Sequence, residues 1–458
     1  MAILSFLDRD HSIAEPHYSR WLVPPAALAI HLSIGQAYAF SVFNIPLSRA
    51  LGMSDSAPGD WKLSTIGWVF SVAIVFLGLS AAIFGAWLER VGPRKAMFAS
   101  AICFAGGFQV AALGVATHQF WLLLLGYGVL GGIGLGLGYI SPVSTLIKWF
   151  PDRPGMATGL AIMGFGGGAM IASPLSTMLM AHFRTATSQG VAPTFVTLGL
   201  LYFAFMMFGV FTVRVPRPGW APASWQPKAA DARHMQAAVD LTADQAIRTP
   251  QFWLLWMVLC LNVTAGIGVL GQASPMIQEM FPGAITANAA AGFVGLLSLA
   301  NMGGRFFWSS TSDYIGRKAV YATFFLLGAA LYAIVPVTGR AGSVSLFVLG
   351  YVIIISMYGG GFATIPAYLR DLFGTIQVGA IHGRLLTAWS LAGIVGPALV
   401  NYIREYEISH GVAKADAYTT TMHIMAALLA VGFVCNLLVR PVRKPDTLVG
   451  TSATPVPT

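Results

Sequence analysis

Long apolar runs recur along this chain, and they constrain its fold more than any other feature. A helix needs about 20 apolar residues to cross the hydrocarbon core of a bilayer. Runs of that length occur at 21–47, 63–87, 96–117, 120–146, 156–180 and 194–213 and, after a polar stretch, at 252–273, 287–312, 319–338, 343–368, 380–402 and 418–439. Only 9% of the residues are charged, against roughly 25% in soluble domains. The sequence therefore predicts an all-α membrane protein with twelve transmembrane helices.

Lysine and arginine residues are distributed unevenly among the connections between these runs. With twelve spans, 19 of the 26 lie on one side of the predicted membrane and 6 on the other, and Arg305 lies within a span. Cytoplasmic connections of membrane proteins are enriched in these residues. We therefore expect both termini in the cytoplasm and the chain in the cell (inner) membrane. The net charge of +9 then reports orientation, and we expect no nucleic-acid partner.

The polar stretch between the two sets of runs divides the chain into parts. We expect a cytoplasmic N-terminal segment at 1–20, a six-helix bundle at 21–213, a cytoplasmic linker at 214–251, a second six-helix bundle at 252–439 and a cytoplasmic tail at 440–458. The linker is rich in proline and becomes more helix-like at 240–248. The tail after Pro445 is predicted to be disordered.

A spacing of 224 residues relates the two predicted bundles. The residue pairs that share it are Glu89 with Asp313, Gly92 with Gly316, Pro142 with Pro366, and Gly155 with Gly379. The first two pairs lie in short basic loops, at 85–95 and 309–318, which follow the second and eighth runs. Four coincidences at one offset indicate an internal duplication, with six helices in each copy and the same orientation in the membrane.

The two loops resemble the loop signature of the major facilitator superfamily, in which a glycine and an acid precede a glycine followed by basic residues. One copy could be a generic basic loop, but two copies in register favour the family. Glu89 replaces the usual aspartate, Ser309 the usual glycine and Pro93 a basic residue. The resemblance implies a charge cluster that forms and breaks as the two halves rock, and the implied gating residues are Gly85, Glu89, Arg90, Gly92, Arg94, Asp313, Gly316, Arg317 and Lys318.

Three further segments resemble the oxalate/formate antiporter family, the first of them also its monocarboxylate-transporter relatives. These segments are 148–160 (KWFPDRPGMATGL), 241–256 (LTADQAIRTPQFWLLW) and 379–397 (GAIHGRLLTAWSLAGIVGP). The resemblance implies a transporter of small carboxylate anions, such as formate, oxalate or a monocarboxylate like lactate or pyruvate. It leaves the choice among these anions open.

Arg305 is the only charged residue in the middle of a predicted span, about two turns before Asp313. A charge in the bilayer core is costly, and arginine stays protonated. Because the spans offer no carboxylate partner, we expect the substrate to provide one, and a guanidinium can donate two parallel hydrogen bonds to it. The alternative is an arginine that bonds backbone carbonyls or extends to the membrane surface. The resemblance favours substrate binding, since oxalate and monocarboxylate transporters have a substrate-binding arginine at this point.

Two differences from these relatives concern how anion transport is coupled to a proton or to a second anion. The oxalate exchanger pairs its arginine with a lysine in helix eleven, whereas the run 380–402 has none. One fixed cation favours a monovalent anion, or a dicarboxylate carried with a proton. Asn301 stands where proton-coupled monocarboxylate transporters have an aspartate, and an amide cannot carry a proton. Anion exchange or facilitated movement is therefore favoured over carboxylate-mediated proton symport. His31 is the best intramembrane proton carrier, because imidazole titrates near neutral pH; a packing role is its alternative.

Other polar and aromatic residues are candidates for the wall of a substrate cavity. In the superfamily, helices one, four, seven and ten line such a cavity, and ordinary helix packing is the alternative for each candidate. The substrate-binding candidates beside Arg305 are Gln36, Tyr38, Tyr139, Asn262, Asn301, Tyr358 and Trp389.

Other functional classes have weaker support in the sequence. A nitrate-type inorganic anion transporter would be favoured by a second arginine in the second run, which has none. A non-transporting membrane sensor is a further alternative. An enzyme is not expected, because the spans show no clustered acids or activated nucleophile, and the three cysteines have neither metal nor disulfide spacing. We expect no cofactor and no metal, and a monomer whose partners are a small organic anion and the lipid bilayer.

Overall fold

Twelve long helices account for most of the computed structural model, which describes residues 2–222, 225 and 240–442. They are α1 (Arg20–Leu47), α2 (Leu63–Val91), α3 (Pro93–Ala116), α4 (Phe120–Trp149), α5 (Pro154–Phe183), α6 (Val191–Thr212), α7 (Pro250–Met280), α8 (Ala287–Ile315), α9 (Arg317–Arg340), α10 (Val344–Phe373), α11 (Val378–Ser409) and α12 (Thr419–Leu438). Eleven are long and apolar enough to cross a membrane. The remaining one, α8, has the length but carries Asn301 and Arg305 in its run. The all-α fold is confirmed.

Parts of the predicted linker and tail lie outside the described residues. These are 223–224 and 226–239 of the linker and 443–458 of the tail. The helix-like segment predicted at 240–248 contains one short helix, Ala243–Ala246. Its first turn is closed by a capping box between Thr242 and Gln245, in which each side chain bonds the other residue's backbone N–H.

The helices continue beyond the predicted apolar runs into the two basic segments. α2 ends at Val91, so Glu89 is helical, and α3 begins at Pro93. The prediction of loops at 85–95 and 309–318 was wrong, because a single residue, Gly92 or Gly316, separates the two helices in each case. These glycines have φ values of +86° and +89°, a conformation that favours glycine because it has no Cβ. The charged residues of these two segments change how exposed the helix ends are to solvent, but they do not terminate the helices.

Two helices depart locally from α geometry near the middle of the bundle. In α1, residues Gly35–Phe43 form a 3₁₀ segment, and in α4, residues Leu124–Gly131 form a π segment. Gly35 packs directly on α5, since a Cβ there would lie 2.5 Å from the carbonyl oxygen of Phe165. The tighter turn begins at this contact and carries Tyr38. Such departures are common where a helix contributes to a site.

The first six helices contact the last six mainly through α2 against α11 and α5 against α8. Small residues make these contacts close. A Cβ on Gly85 would lie 2.7 Å from the Cα of Ala380, and one on Gly155 would lie 2.1 Å from the carbonyl oxygen of Ser309. In a membrane, close backbone approach of this kind is how helices gain packing energy.

Both ends of the described chain lie at the same end of the bundle as Gly92 and Gly316. Arg94 donates hydrogen bonds to the carbonyls of Phe6 and His11 in the N-terminal segment. Lys318 donates to the carbonyl of Val439, just after α12. We call this the basic end. The arrangement agrees with an even number of spans.

Candidate functional site

Arg305 lies about two thirds of the way along α8, is fully buried, and connects the two sets of six helices. Its Nε donates to Oδ1 of Asn301 at 3.1 Å, and its Nη1 donates to the carbonyl of Ile162 in α5 at 3.3 Å. Nη2 makes no hydrogen bond of ordinary geometry with the described residues, although the guanidinium lies close enough to the hydroxyls of Tyr38 and Tyr139 to interact with both. The structure therefore contradicts an extension of this side chain to the membrane surface. One backbone carbonyl binds it, and one of its nitrogens is left for another acceptor.

Two phenylalanines flank the guanidinium of Arg305. Its central carbon lies 5.6 Å from the ring centroid of Phe165 in α5 and 5.4 Å from that of Phe362 in α10. An aromatic face attracts a cation, and the attraction grows when water is excluded. Neither phenylalanine is predicted from the sequence, since nothing in their spacing separates them from ordinary packing aromatics.

These rings belong to a larger cluster that we call the aromatic box. Its members are Tyr38, Tyr139, Phe165, Tyr358, Phe362 and Trp389. The ring of Trp389 lies 4.4 Å from that of Phe362 and 5.5 Å from those of Tyr139 and Phe165. Four of the predicted wall residues are thus brought together around Arg305. They come from α1, α4, α10 and α11, so the box is built from both sets of six helices.

The polar atoms of the aromatic box have few hydrogen-bond partners among the described residues. The hydroxyls of Tyr38 and Tyr358 lie 3.3 Å apart and join α1 to α10. The Tyr139 hydroxyl and Nε1 of Trp389 make no hydrogen bond of ordinary geometry with the described residues. Arg305 interacts electrostatically with all three tyrosines. Buried donors are rarely left unpaired in proteins, so this cluster has the chemistry to bind a small acceptor such as a carboxylate.

The remaining predicted polar residues lie at different distances from the aromatic box. His31 is fully buried, its Nδ1 is 3.1 Å from the Ala27 carbonyl, and its ring is 5.5 Å from that of Tyr139. Asn262 lies behind the box, against Gly361. Gln36 accepts a hydrogen bond from the Tyr127 hydroxyl at 3.0 Å within the first six helices. Of the three, His31 makes a ring contact with the box, with Tyr139.

At the basic end, the acid of each repeat binds the N-terminus of a helix in the other half. Oε1 of Glu89 accepts from the backbone N–H of Gly379 at 2.9 Å, and Oε2 accepts from Lys148 at 2.7 Å. Asp313 accepts from the backbone N–H groups of Gly155 and Met156 at 2.9 and 2.8 Å. The partial positive charge of a helix N-terminus favours a carboxylate at this place. These contacts join the two halves at the basic end.

The basic residues of the two repeats act within one half in the described structure. Arg94 donates to the carbonyl of Val213 after α6, and Lys318 donates to the carbonyl of Leu437 in α12. Arg317 forms ion pairs with Asp313 and Asp371. Arg90, the last predicted gating cation, is exposed at the end of α2.

Comparisons with known proteins agree with this architecture. The family model described as Major Facilitator Superfamily matches residues 26–397 and 284–457. The oxalate:formate antiporter of Oxalobacter formigenes is 26% identical over 93% of this chain and 94% of its own length. The apicoplast pyruvate carrier 1 of Toxoplasma gondii is 24% identical over 83% of this chain and 76% of its own length.

Solved structures share the fold at lower sequence identity. The crystal structure of the human organic anion transporter MFSD10 superposes with a TM-score of 0.66 at 14% identity, covering 92% of this chain and all of the other. Since the family model spans most of the chain and the helices have the matching arrangement, the chain belongs to the Major Facilitator Superfamily.

Proposed function

We propose that this chain is a secondary transporter that moves small carboxylate anions by alternating access. The observation that carries the proposal is the fully buried Arg305 at the junction of the two halves, whose Nη2 makes no hydrogen bond of ordinary geometry with the described residues. A carboxylate there receives a charge-assisted hydrogen bond from Nη2. The Tyr139 hydroxyl and Nε1 of Trp389 are further donors in the same box. Formate, oxalate and monocarboxylates such as lactate or pyruvate are the proposed substrates, and two relatives carry such anions in their names.

Alternating access requires that the two halves move relative to each other around this site. At the basic end the two halves are joined by two carboxylates bound at helix N-termini and by glycine contacts, all of which can separate without breaking either half. We propose that the basic end faces the cytoplasm of the cell (inner) membrane, because lysine and arginine are concentrated there. The predicted division into an N-terminal segment, two bundles, a linker and a tail is part of this proposal, as is a monomeric carrier.

We propose anion exchange as the transport mode. Asn301 bonds Arg305 through its amide oxygen, and an amide cannot deliver a proton. Proton-coupled monocarboxylate symport is the second candidate, favoured by the buried His31 next to Tyr139. A nitrate-type inorganic anion carrier has less support, because among the described residues Arg305 is the only arginine whose guanidinium lies over rings of the aromatic box.

Transport by the purified protein in liposomes tests this proposal. Uptake of radiolabelled formate, oxalate, lactate and pyruvate is measured with and without anion on the opposite side, and stimulation by the opposite anion is expected. Arg305→Ala and Arg305→Lys are expected to lose most of the transport, while the control Arg340→Lys, which changes a side chain that is 59% exposed, retains it. Wild-type rates in both Arg305 variants would overturn the site assignment. Binding without any flux would indicate a sensor instead.

A further inference from the structure

A cavity of about 960 Å³ lies at the basic end, away from the aromatic box. Its walls come from the N-terminal segment, from α2 and α4, from the start of the linker, and from the end of α10 with its connection to α11. It therefore borders both sets of six helices. Sites for small organic ligands have volumes of about 300–1,000 Å³, so this cavity has room for an anion much larger than formate.

Positive charge dominates the wall of this cavity. Five cations line it against two acids, Asp10 and Glu89, which leaves a net charge of +3. The cations are Arg9, Arg90, Lys148, Arg217 and Arg370. Within the described part of the chain, Lys148 is the one of these five that forms an ion pair, with Glu89 at 2.7 Å. A concave surface with an excess of one sign of charge attracts ions of the other sign.

Backbone carbonyls position two of these arginines in the wall. Nε of Arg217 donates to the carbonyl of Ala14 at 3.0 Å, and Nη2 of Arg370 donates to the carbonyl of Pro151 at 3.2 Å. Nearby carboxylates, chiefly that of Asp371, also act electrostatically on Arg370. A guanidinium has five N–H donors, so both side chains are held in place and keep donors for a ligand.

Two tryptophans of the linker, Trp220 and Trp225, also line the cavity and are partly exposed. The ring of Trp220 lies 4.7 Å from that of the buried Trp149, in a T-shaped arrangement. Nε1 of Trp149 in turn donates to the carbonyl of Arg214 at 2.7 Å. The start of the linker is thus fixed on α4. Aromatic rings of this kind stack with nucleobases.

We propose that this cavity is a regulatory site for a nucleoside diphosphate. Its two phosphates carry a charge of about −3 at neutral pH, which balances the net charge of the wall. Guanidinium groups match phosphate oxygens with pairs of hydrogen bonds, and a tryptophan stacks on the base. A soluble ligand is favoured over a lipid headgroup, because the exposed lining residues include three arginines and only two large apolar side chains, those of Ile13 and Ile376.

A ligand in this cavity acts on the junction between the halves. Arg90 and Lys148 reach it from the first six helices, and Arg370 and Gln377 reach it from the last six. The contact between Glu89 and the backbone N–H of Gly379 lies beside it. A ligand stabilises the conformation that it binds better, so a bound nucleotide favours the joined basic end and slows its opening. Binding is independent of the proposed function, and only the effect on transport rests on it.

Calorimetric titration of the purified full-length chain in detergent, without divalent cations, tests the site. ADP is expected to bind, and two partial ligands are expected to bind about tenfold more weakly. These are AMP, which has one phosphate fewer, and pyrophosphate, which has no base. Pyrophosphate binding as tight as that of ADP would overturn the assignment to a nucleotide. Displacement of ADP by phosphatidylglycerol in mixed micelles would show that the site takes a lipid headgroup, and would overturn it as well.

Variants separate the phosphate contacts from the base contact. The double variant Arg90→Gln and Arg217→Gln is expected to weaken ADP and pyrophosphate alike, by at least about tenfold. Trp225→Leu is expected to weaken ADP by about tenfold and to leave pyrophosphate unchanged. The control is Arg184→Gln with Arg340→Gln, which removes two exposed charges at the opposite end of the bundle. An equal loss of ADP binding in the control would indicate unspecific attraction and overturn the site.

Two further measurements address location and consequence. ADP binding is expected to persist in Arg305→Lys, and its loss there would place the nucleotide in the aromatic box. Spin labels at the basic ends of α2 and α11 are expected to report a narrower distribution of shorter distances when ADP is added, and ADP on that side of liposomes is expected to slow formate uptake. Unchanged distances in the presence of bound ADP would overturn the regulatory role.

The outcomes distinguish the two proposals. Carboxylate transport by a chain that does not bind ADP would overturn this inference and leave the proposed function standing. ADP binding with the expected dependence on Arg90, Arg217 and Trp225, in a chain that transports none of the carboxylates, would overturn the proposed function and support the nucleotide site.

Discussion

The carboxylate of Asp313, in α8, accepts a hydrogen bond of 2.9 Å from the backbone N–H of Gly155 at the start of α5. The equivalent contact joins Glu89 to Gly379 at the same distance. Both residues of the second pair are 224 positions away from their counterparts, so the duplication preserves the contact and not only the sequence. Each half thus binds the other at the basic end, through an acid at the N-terminus of one of the other half's helices.

Removing the charge of these acids should favour opening of the basic end. Asp313→Asn and Glu89→Gln keep the side-chain size but lose the attraction to a helix N-terminus, about 1–2 kcal/mol each. Spin labels at the basic ends of α2 and α11, or of α5 and α8, should report longer distances in the variants. Asp416→Asn, which alters an exposed pair with Arg340, is the control. Unchanged distances in both gate variants would contradict the assignment.

A methyl group at Gly155 should keep α5 and α8 apart. A Cβ there would lie 2.1 Å from the carbonyl oxygen of Ser309, which is backbone and cannot move aside alone. We expect Gly155→Ala to raise the reactivity of cysteines introduced at the basic end and to slow transport. Gly106→Ala is matched to it, because a Cβ on Gly106 meets no atom within 4 Å. Equal behaviour of the two variants would show that the close approach has no role.

Arg94 and Lys318 should contribute to stability more than to gating. Both bind carbonyls at the ends of helices within their own half, Val213 for Arg94 and Leu437 for Lys318. Arg94→Met should lower the free energy of unfolding by about 1–3 kcal/mol, because it leaves buried carbonyls without a charged donor. Lys95→Met is the control, since its pair with Asp8 is exposed and such pairs contribute little. Thermal unfolding in detergent measures both; a Tm equal to that of the control would contradict this role.

Asp152, between α4 and α5, should make stability depend on pH. Burial raises the pKa of its carboxyl, but hydrogen bonds from Arg20 at 2.5 and 2.9 Å outweigh that effect and hold the pKa below its ordinary value. A lowered pKa in the folded state means that the stabilisation is complete above the ordinary value of about 3.9 and is lost as the pH falls through the folded value. The Tm difference between wild type and Asp152→Asn should therefore be large near neutral pH and shrink below about pH 4. A difference independent of pH would contradict it.

Local features of the sequence are sufficient to predict the helices. Span length and apolar composition predict each of the twelve, because a bilayer-spanning helix satisfies its own backbone hydrogen bonds and its signal is contiguous in the chain. The same local signal misjudged 85–95 and 309–318, where charged residues continue a helix and only a glycine with positive φ ends it. Arg305 also stood out by itself, since it is the only charge in the middle of an apolar run.

Only the tertiary structure decided which residues meet. Glu89 and Gly379 are 290 positions apart, and Arg305 and the carbonyl of Ile162 are 143 apart. The sequence showed that the two acids and the two glycines share one offset. It did not show that the acid of one half accepts a hydrogen bond from the backbone N–H of the glycine in the other half. Phe165 and Phe362 lie against Arg305, and Gln36 bonds Tyr127, for the same reason. The position of a helix is set by packing against neighbours that are distant in the chain, and no local pattern contains that information.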